Sequence, residues 1–367
     1  MPAAGSVRYV FPGGNTAFGF YSFYDDIIKN AFKRLFILKG GPGVGKSTLI
    51  KNIGSQLLQQ GYDIEYHCCS SDKNSFDGLL APSLGIAIVD GTAPHTIDPQ
   101  HPGAVDEIVN LGNFWHEKGL IELKDEITAL SRQIKHLFAR AYNYLAQAKL
   151  LQEDLESYYQ VSNCLDIPAL NWTGHRLIED IFPRETPRRL PKVRHLFASA
   201  ITPQGLTNHL SNLFDNLGKR YIITGPPGTG KATILHKLYE TATSLGYQVE
   251  AYHCALIPTK IEHLILPELD TGIITSTGPH TYQPQPQDEV INLDELLDKS
   301  LLTAYSDDLA AAKQRFDAAL QKALEFMGRV KEYRDRLESY YIANMDFPAI
   351  NDFVVQLNAR IQALIKN

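Results

Sequence analysis

The chain has 367 residues, 44% hydrophobic and 21% charged, with a net charge of −6 and a pI near 6.1. That is room for two or three globular domains, without the global basic field that nucleic acid or anionic lipid would require. Four sparse cysteines (Cys68, Cys69, Cys164, Cys254) form no C-x-x-C pair, the opening MPAAGSVRYVF holds no long apolar run, and no stretch of about 18 apolar residues occurs, so a cytoplasmic protein without disulfide framework or membrane span is expected.

In chain order, RLFILKG (34–40) is a short apolar run ending in glycine and predicts a buried strand. KSTLIKNIGSQLLQQ (46–60) follows as an amphipathic helix closed by Gly61. YDIEYHC (62–68) and LGIAIVD (84–90) predict second and third strands. Strands alternating with helices imply an α/β fold with a parallel sheet covered on both faces. A long stretch without glycine or proline then carries Ile127, Leu130, Ile134, Leu137, Ala141, Tyr144, Ala148, Leu151, Leu155 and Tyr158 in steps of three and four. This is an a/d heptad seam. FPRETPRRLPK (182–192), with three prolines, reads as a linker.

After the linker the chain repeats itself. VRYVF (7–11) returns as VRHLF (193–197), FILKGGPGVGKST as YIITGPPGTGKAT, and GYDIEYHC as GYQVEAYHC. TAPHT (92–96) returns as TGPHT (277–281), DEIVNL as DEVINL, LESYY (155–159) unchanged at 337–341, and DIPAL as DFPAI. The offset stays between 180 and 186 residues, which marks the tandem duplication of a whole domain, 1–187 and 188–367. The heptad seam recurs as Leu309, Ala312, Phe316, Ala319, Ala323, Phe326, Val330, Tyr333, Leu337 and Tyr340. Either the two long helices pair across the duplication or each folds back on its own domain; a compact core helix is the plainer alternative.

GGPGVGKS (40–47) satisfies G-x-x-x-x-G-K-[ST] between a strand and a helix. Gly40, Gly41, Pro42, Gly43, Val44 and Gly45 would turn backbone amides around a phosphate, Lys46 would reach the β- and γ-phosphates, and the Ser47 hydroxyl, followed by Thr48, would bind Mg²⁺. A second magnesium partner is expected from a strand beside the loop, and IAIVD supplies Asp90. The alternative is an aspartate that merely opens the Asp-Gly turn.

With these motifs on the page, both halves resemble P-loop NTPase domains. The duplicated chain, with FPGGNTAFGFYS, GGPGVGKST and IVDGTAPH, is similar over nearly its whole length to a bacterial family of tandem P-loop proteins described as predicted ATPases or nucleotide kinases. The resemblance implies ATP binding on the P-loop fold and carries no substrate.

Catalysis also needs a group that positions the nucleophile. CCSSDKNSFDG (68–78) offers Asp72 first, then Asp77, with Ser70 and Ser71; the plain alternative is a solvated turn. His67, Cys68 and His95 raise the thought of zinc, but the spacing is no recognised ligand pattern, and His253, Cys254 and His280 repeat it, which favours a structural role. An arginine finger could come from Arg184, Arg188, Arg189 or Arg194, beside Lys192, against the reading of a solvated basic linker.

The second loop keeps Gly225, Gly228, Thr229, Gly230 and Lys231, but Ala232 replaces Ser47 and Thr275 replaces Asp90. Thr233 matches Thr48 and points about 100° further round the helix. ALIPTKIEH (255–263) replaces the acidic loop. The expectation is one working, Mg²⁺-dependent ATP site and one degenerate site. Three functions compete: an ATPase acting on a protein client, a small-molecule or nucleotide kinase whose acceptor meets DGTAPHTIDPQHPG (90–103), and a non-enzymatic nucleotide switch. ATP is the default because no guanine-selective N-K-x-D stretch appears. Neither nucleic acid nor membrane is expected as a partner, and self-association (a homo-oligomer) stays open.

Overall fold

A computed structural model describes residues 4–28, 32–278 and 280–366. The first three residues of the N-terminal stretch and Pro279 of the repeated TGPHT lie outside the described residues. The first repeat runs β1 (Val7–Val10), β2 (Gly13–Thr16), β3 (Gly19–Ser22), α1 (Tyr24–Ile28), β4 (Arg34–Lys39), α2 (Lys46–Gln59), β5 (Ile64–Cys68), β6 (Phe76–Ala81), β7 (Ile86–Asp90), β8 (Asp106–Asn110), α3 (Glu117–Glu122), α4 (Lys124–Val161) and α5 (Ile167–Ile181). The second runs β9 (Val193–Leu196), β10 (Ser199–Thr202), β11 (Gly205–Asn208), α6 (Leu210–Phe214), β12 (Lys219–Thr224), α7 (Lys231–Ser244), β13 (Val249–His253), β14 (Ile261–Leu266), β15 (Thr271–Ser276), β16 (Glu289–Asn292), α8 (Ser306–Ile342) and α9 (Phe347–Lys366).

Each repeat builds a six-stranded sheet, in the orders β1-β5-β6-β7-β4-β8 and β9-β13-β14-β15-β12-β16. The fold is α/β as expected, but the sheets are mixed rather than parallel. β6 runs antiparallel to both β5 and β7, and β14 does the same between β13 and β15; the other pairings are parallel. The sequence reading assigned no strand to 76–81 or 261–266; each is joined to the next strand by one 3-10 turn, Pro82–Leu84 or Pro267–Leu269. The stretch 68–78 is therefore only partly a loop, since Asp77 lies in β6.

Helix α2 forms where sequence pattern and end signals agree. Leu49, Ile50, Ile53 and Leu57 recur at helical spacing and are buried against the sheet. Gly61 takes a φ of 88°, and the amides of Tyr62 and Gly61 donate to the carbonyls of Leu57 and Leu58, both at 3.0 Å. That is a Schellman stop, and it repeats at Gly246 in α7.

The compact units do not follow the repeat boundary. One contains Met1–Val10, Ile27–Ala139 and Phe326–Asn367; the other contains Phe11–Asp26 and Arg140–Glu325. In the first, Met345, Ile350, Leu357 and Ile361 join the core of β4, β7 and α2. In the second, Leu170, Leu177 and Ile181 join the core of β12, β15 and α7. Thus α9, from the second repeat, covers the first sheet, and α5, from the first repeat, covers the second.

The long helices follow the same logic. Within the second unit, Tyr158 on α4 packs on Tyr305, 5.8 Å between ring centres, and Arg315 on α8 reaches Asp154 at 3.8 Å, as antiparallel neighbours do. Pairing across the duplication is thus present there, and neither C-terminal helix folds back on its own repeat's sheet. The seam drifts from the heptad register: Leu145 and Met327 are buried where the heptad placed Tyr144 and Phe326. A straight helix at 3.6 residues per turn slips against a repeat of seven. Among the described residues, no helix is long and apolar enough to cross a membrane.

Candidate functional site

The first glycine-rich loop joins β4 to α2. Gly40, Gly43 and Gly45 take φ values of 152°, 73° and 87°. A Cβ on Gly43 would come within 2.8 Å of Ile342 and 2.9 Å of Glu338, both at the end of α8 in the same unit. Gly45 caps α2 without any side-chain hydrogen bond, so the first-turn amides keep their donors for an anion.

The lysine and the strand aspartate meet at this loop. Lys46 Nζ donates to the carbonyls of Gly40 (2.8 Å) and Gly41 (2.9 Å) and lies 3.6 Å from Asp90 Oδ2. Hydrogen-bonded pairing of β7 directly beside β4, Leu38 opposite Asp90, makes that approach possible. Asp90 also opens its turn, since Oδ1 accepts from the Thr92 amide (2.9 Å) and hydroxyl (2.6 Å). The two readings of Asp90 are compatible, because each uses a different oxygen. Ser47 Oγ accepts from the Phe76 amide at 2.9 Å, which ties the hydroxyl to the start of β6.

Of the two acids weighed as catalytic, Asp77 and not Asp72 is built into this cluster. Asp72 holds a local turn, accepting from the Asn74 amide at 2.9 Å, and its carboxylate is a third exposed and 3.5 Å from Lys331. Asp77 is buried, 3.4 Å from His95 Nε2. Its position is set by a bulge: Phe76 pairs with Cys68 and Gly78 with His67, so Asp77 is the extra residue, which re-aims its side chain. Burial raises its pKa; His95 pulls it back and the nearby Asp90 pushes it up further.

Among the described residues, no three His, Cys, Asp or Glu side chains gather as a metal nest. His67 faces Glu65 at 3.3 Å, and burial pushes the Cys68 thiol up to about 12. Of the linker cations, Arg189 pairs with Glu268, and Arg194 with Glu250 at 3.1 Å. An arginine the sequence reading passed over, Arg334 on α8, acts electrostatically on Asp77 and Cys69. Only the unit's interleaved chain brings it near, so no local pattern could have found it.

The second loop repeats the frame with different chemistry. Gly225, Gly228 and Gly230 take φ values of 139°, 88° and 88°, and Gly230 caps α7 without a side chain. Lys231 Nζ donates to the carbonyls of Gly225 and Pro226, both at 2.6 Å. Burial draws its pKa down to about 8. The sequence reading had both loop acids lost in this copy. The structure corrects that for one of them: in β14, Ile261 pairs with His253 and His263 with Tyr252, so Glu262 is the bulged residue in Asp77's place. The residue inserted between Glu250 and Tyr252 hid this match.

A cavity of about 790 Å³ opens over the second loop, lined by Lys231, Ala232, Thr275, Glu262 and side chains of α4 and α8. Compared with protein-family models, with curated proteins and with solved structures, the chain finds no match in any of the three.

Proposed function

We propose that this chain is a P-loop protein that binds ATP with Mg²⁺ and hydrolyses it at the 40–47 loop, with the 225–231 loop as a copy that has lost the metal ligands. The observation that carries this reading is the meeting of Lys46 and Asp90, 3.6 Å apart, at an uncapped helix start behind three glycines of positive φ. The residues fit a magnesium nucleotide: the loop keeps three glycines at positive φ before an uncapped helix start, and Ser47 and Asp90 offer the hard oxygens Mg²⁺ prefers. When bound, Mg²⁺ would offset charge on the β- and γ-oxygens. Loop amides and Lys46 hold the phosphates, while buried Asp77, beside His95, is placed to orient a water or an acceptor hydroxyl.

The test is phosphate release from Mg-ATP by the wild type, Lys46→Ala and Lys231→Ala, with and without a panel of nucleosides and metabolites. Loss in Lys46→Ala alone supports the reading. Turnover that survives Lys46→Ala but disappears in Lys231→Ala overturns it. Stimulation by one acceptor turns the ATPase into a kinase, and silence of all three leaves a nucleotide-binding switch.

A further inference from the structure

We propose that the cavity over the 225–231 loop binds a phosphorylated organic molecule without a divalent cation, its phosphate on the loop and Lys231 and its body against the apolar wall from α4 and α8. The proposal stands whether or not the first loop turns over ATP.

Shape is the first argument. The cavity measures about 790 Å³, within the roughly 300–1,000 Å³ of small-molecule sites. Its whole lining belongs to one compact unit. One end is the glycine loop with the uncapped start of α7, a 14-residue helix. Another part of the lining is apolar: Leu155 from α4, Leu206 from β11, and Phe316 and Leu320 from α8. A bare phosphate would leave that wall in water, so the ligand needs an organic body.

Charge is the second. A metal-dependent phosphate site needs oxygen ligands, and Ala232 and Thr275 stand where Ser47 and Asp90 stand in the other loop. The carboxylates at the cavity do not replace them. Glu156 is engaged by Lys260 at 2.8 and 2.9 Å. Burial raises the pKa of Glu262 towards its neutral, proton-donating form. Lys231 and the helix start therefore remain as the positive end, able to balance a phosphate directly.

A third observation is independent of the loop. His280 lines the same cavity, and its Nδ1, out of contact with solvent, has no hydrogen-bond partner among the described residues. An unmet buried ring nitrogen is costly unless a ligand meets it.

The experiment is calorimetric titration in EDTA with three probes: pyrophosphate, ATP, and geranyl diphosphate as an apolar-bodied diphosphate. Lys46→Ala, which silences the first loop, is compared with the same variant carrying in addition Lys231→Ala, Lys231→Gln or Leu320→Ala, each checked by circular dichroism. The expected result, read with the first loop silenced by Lys46→Ala, is binding of an organic diphosphate at least tenfold tighter than pyrophosphate. Both Lys231 variants should weaken it at least tenfold, and Leu320→Ala should narrow the advantage over pyrophosphate. ATP winning identifies a nucleotide site, and geranyl diphosphate winning an apolar-bodied one; both support the proposal. No binding in EDTA, equal affinity for all three probes, or full retention of binding in both Lys231 variants overturns it.

Discussion

The two glycine-rich loops share a backbone and differ in the side chains around it. At the first, Lys46 lies beside Asp90, with Ser47 next in the chain. At the second, Lys231 stands among Lys260, Glu156 and Glu262, with Ala232 and Thr275 where the first copy has Ser47 and Asp90. Duplication kept what only the backbone supplies: three glycines at positive φ and an uncapped helix start in each copy. It let the side chains diverge, because the cradle's cost lies in backbone conformation while the charge pattern is free to change.

Four measurements can break or sharpen that comparison. The largest effect is expected for Lys46→Ala, which should cut Mg-ATP turnover about a thousandfold, about 4 kcal/mol of activation free energy, with Lys231→Ala near wild type. Equal losses in the two variants would mean that the loops work together.

Next comes Leu357→Ala on α9. Its side chain is fully buried in the first sheet's core, so truncation should destabilise by about 2–5 kcal/mol. Hydrogen exchange should speed up in β4 and β7, although Leu357 belongs to the second repeat. Faster exchange confined to β12 and β15 would contradict the interleaved units.

Gly43→Ala is the third. A φ of 73° costs an alanine about 1–2 kcal/mol, and Ile342 and Glu338 leave its Cβ little room. Thermal stability and turnover should both drop. Alanine at Gly19, where φ is 91° but no atom lies within 4 Å, should show only the backbone cost.

The smallest effect is a pH dependence of the second loop. Lys231 must be charged to hold phosphate, and burial draws it from 10.5 to about 8, with Glu156 and Glu262 opposing the shift and Lys260 adding to it. Pyrophosphate affinity in EDTA should be level below about pH 8 and fall by up to about tenfold per unit above it. Stability should move the other way. Between about 8 and 10.5 the unfolded chain holds more protons at this site, so the folded state gains as pH rises through that window. Affinity level up to pH 10 would show that Lys231 does not carry the phosphate.

Much of the fold was readable because local rules and the repeat agreed. The strand–loop–helix at 34–59, the stop at Gly61 and the two long helices follow from apolar spacing and glycine placement. Strands β6 and β14 were hidden because FDGLLA and IEHLIL mix polar and apolar residues and are each separated from the next strand only by a tight turn. Asp77's priority over Asp72 was equally unreadable: both are aspartates in a polar stretch, and only the bulge that buries one separates them.

The sequence by itself determined that a domain was written twice, that both copies keep a glycine cradle and lysine, and that one lost its hydroxyl and strand aspartate. These are properties of residue identity and short-range spacing. Only the tertiary structure decided which helix covers which sheet. The arms 140–181 and 326–366 descend from one duplicated segment and carry the same seam, so their pattern fits either sheet equally well. The choice is made by long-range burial, which places Leu177 on the second sheet and Leu357 on the first. It also brings the end of α8 onto the first loop and the end of α4 onto the second, so each loop is met by the long helix of the other repeat.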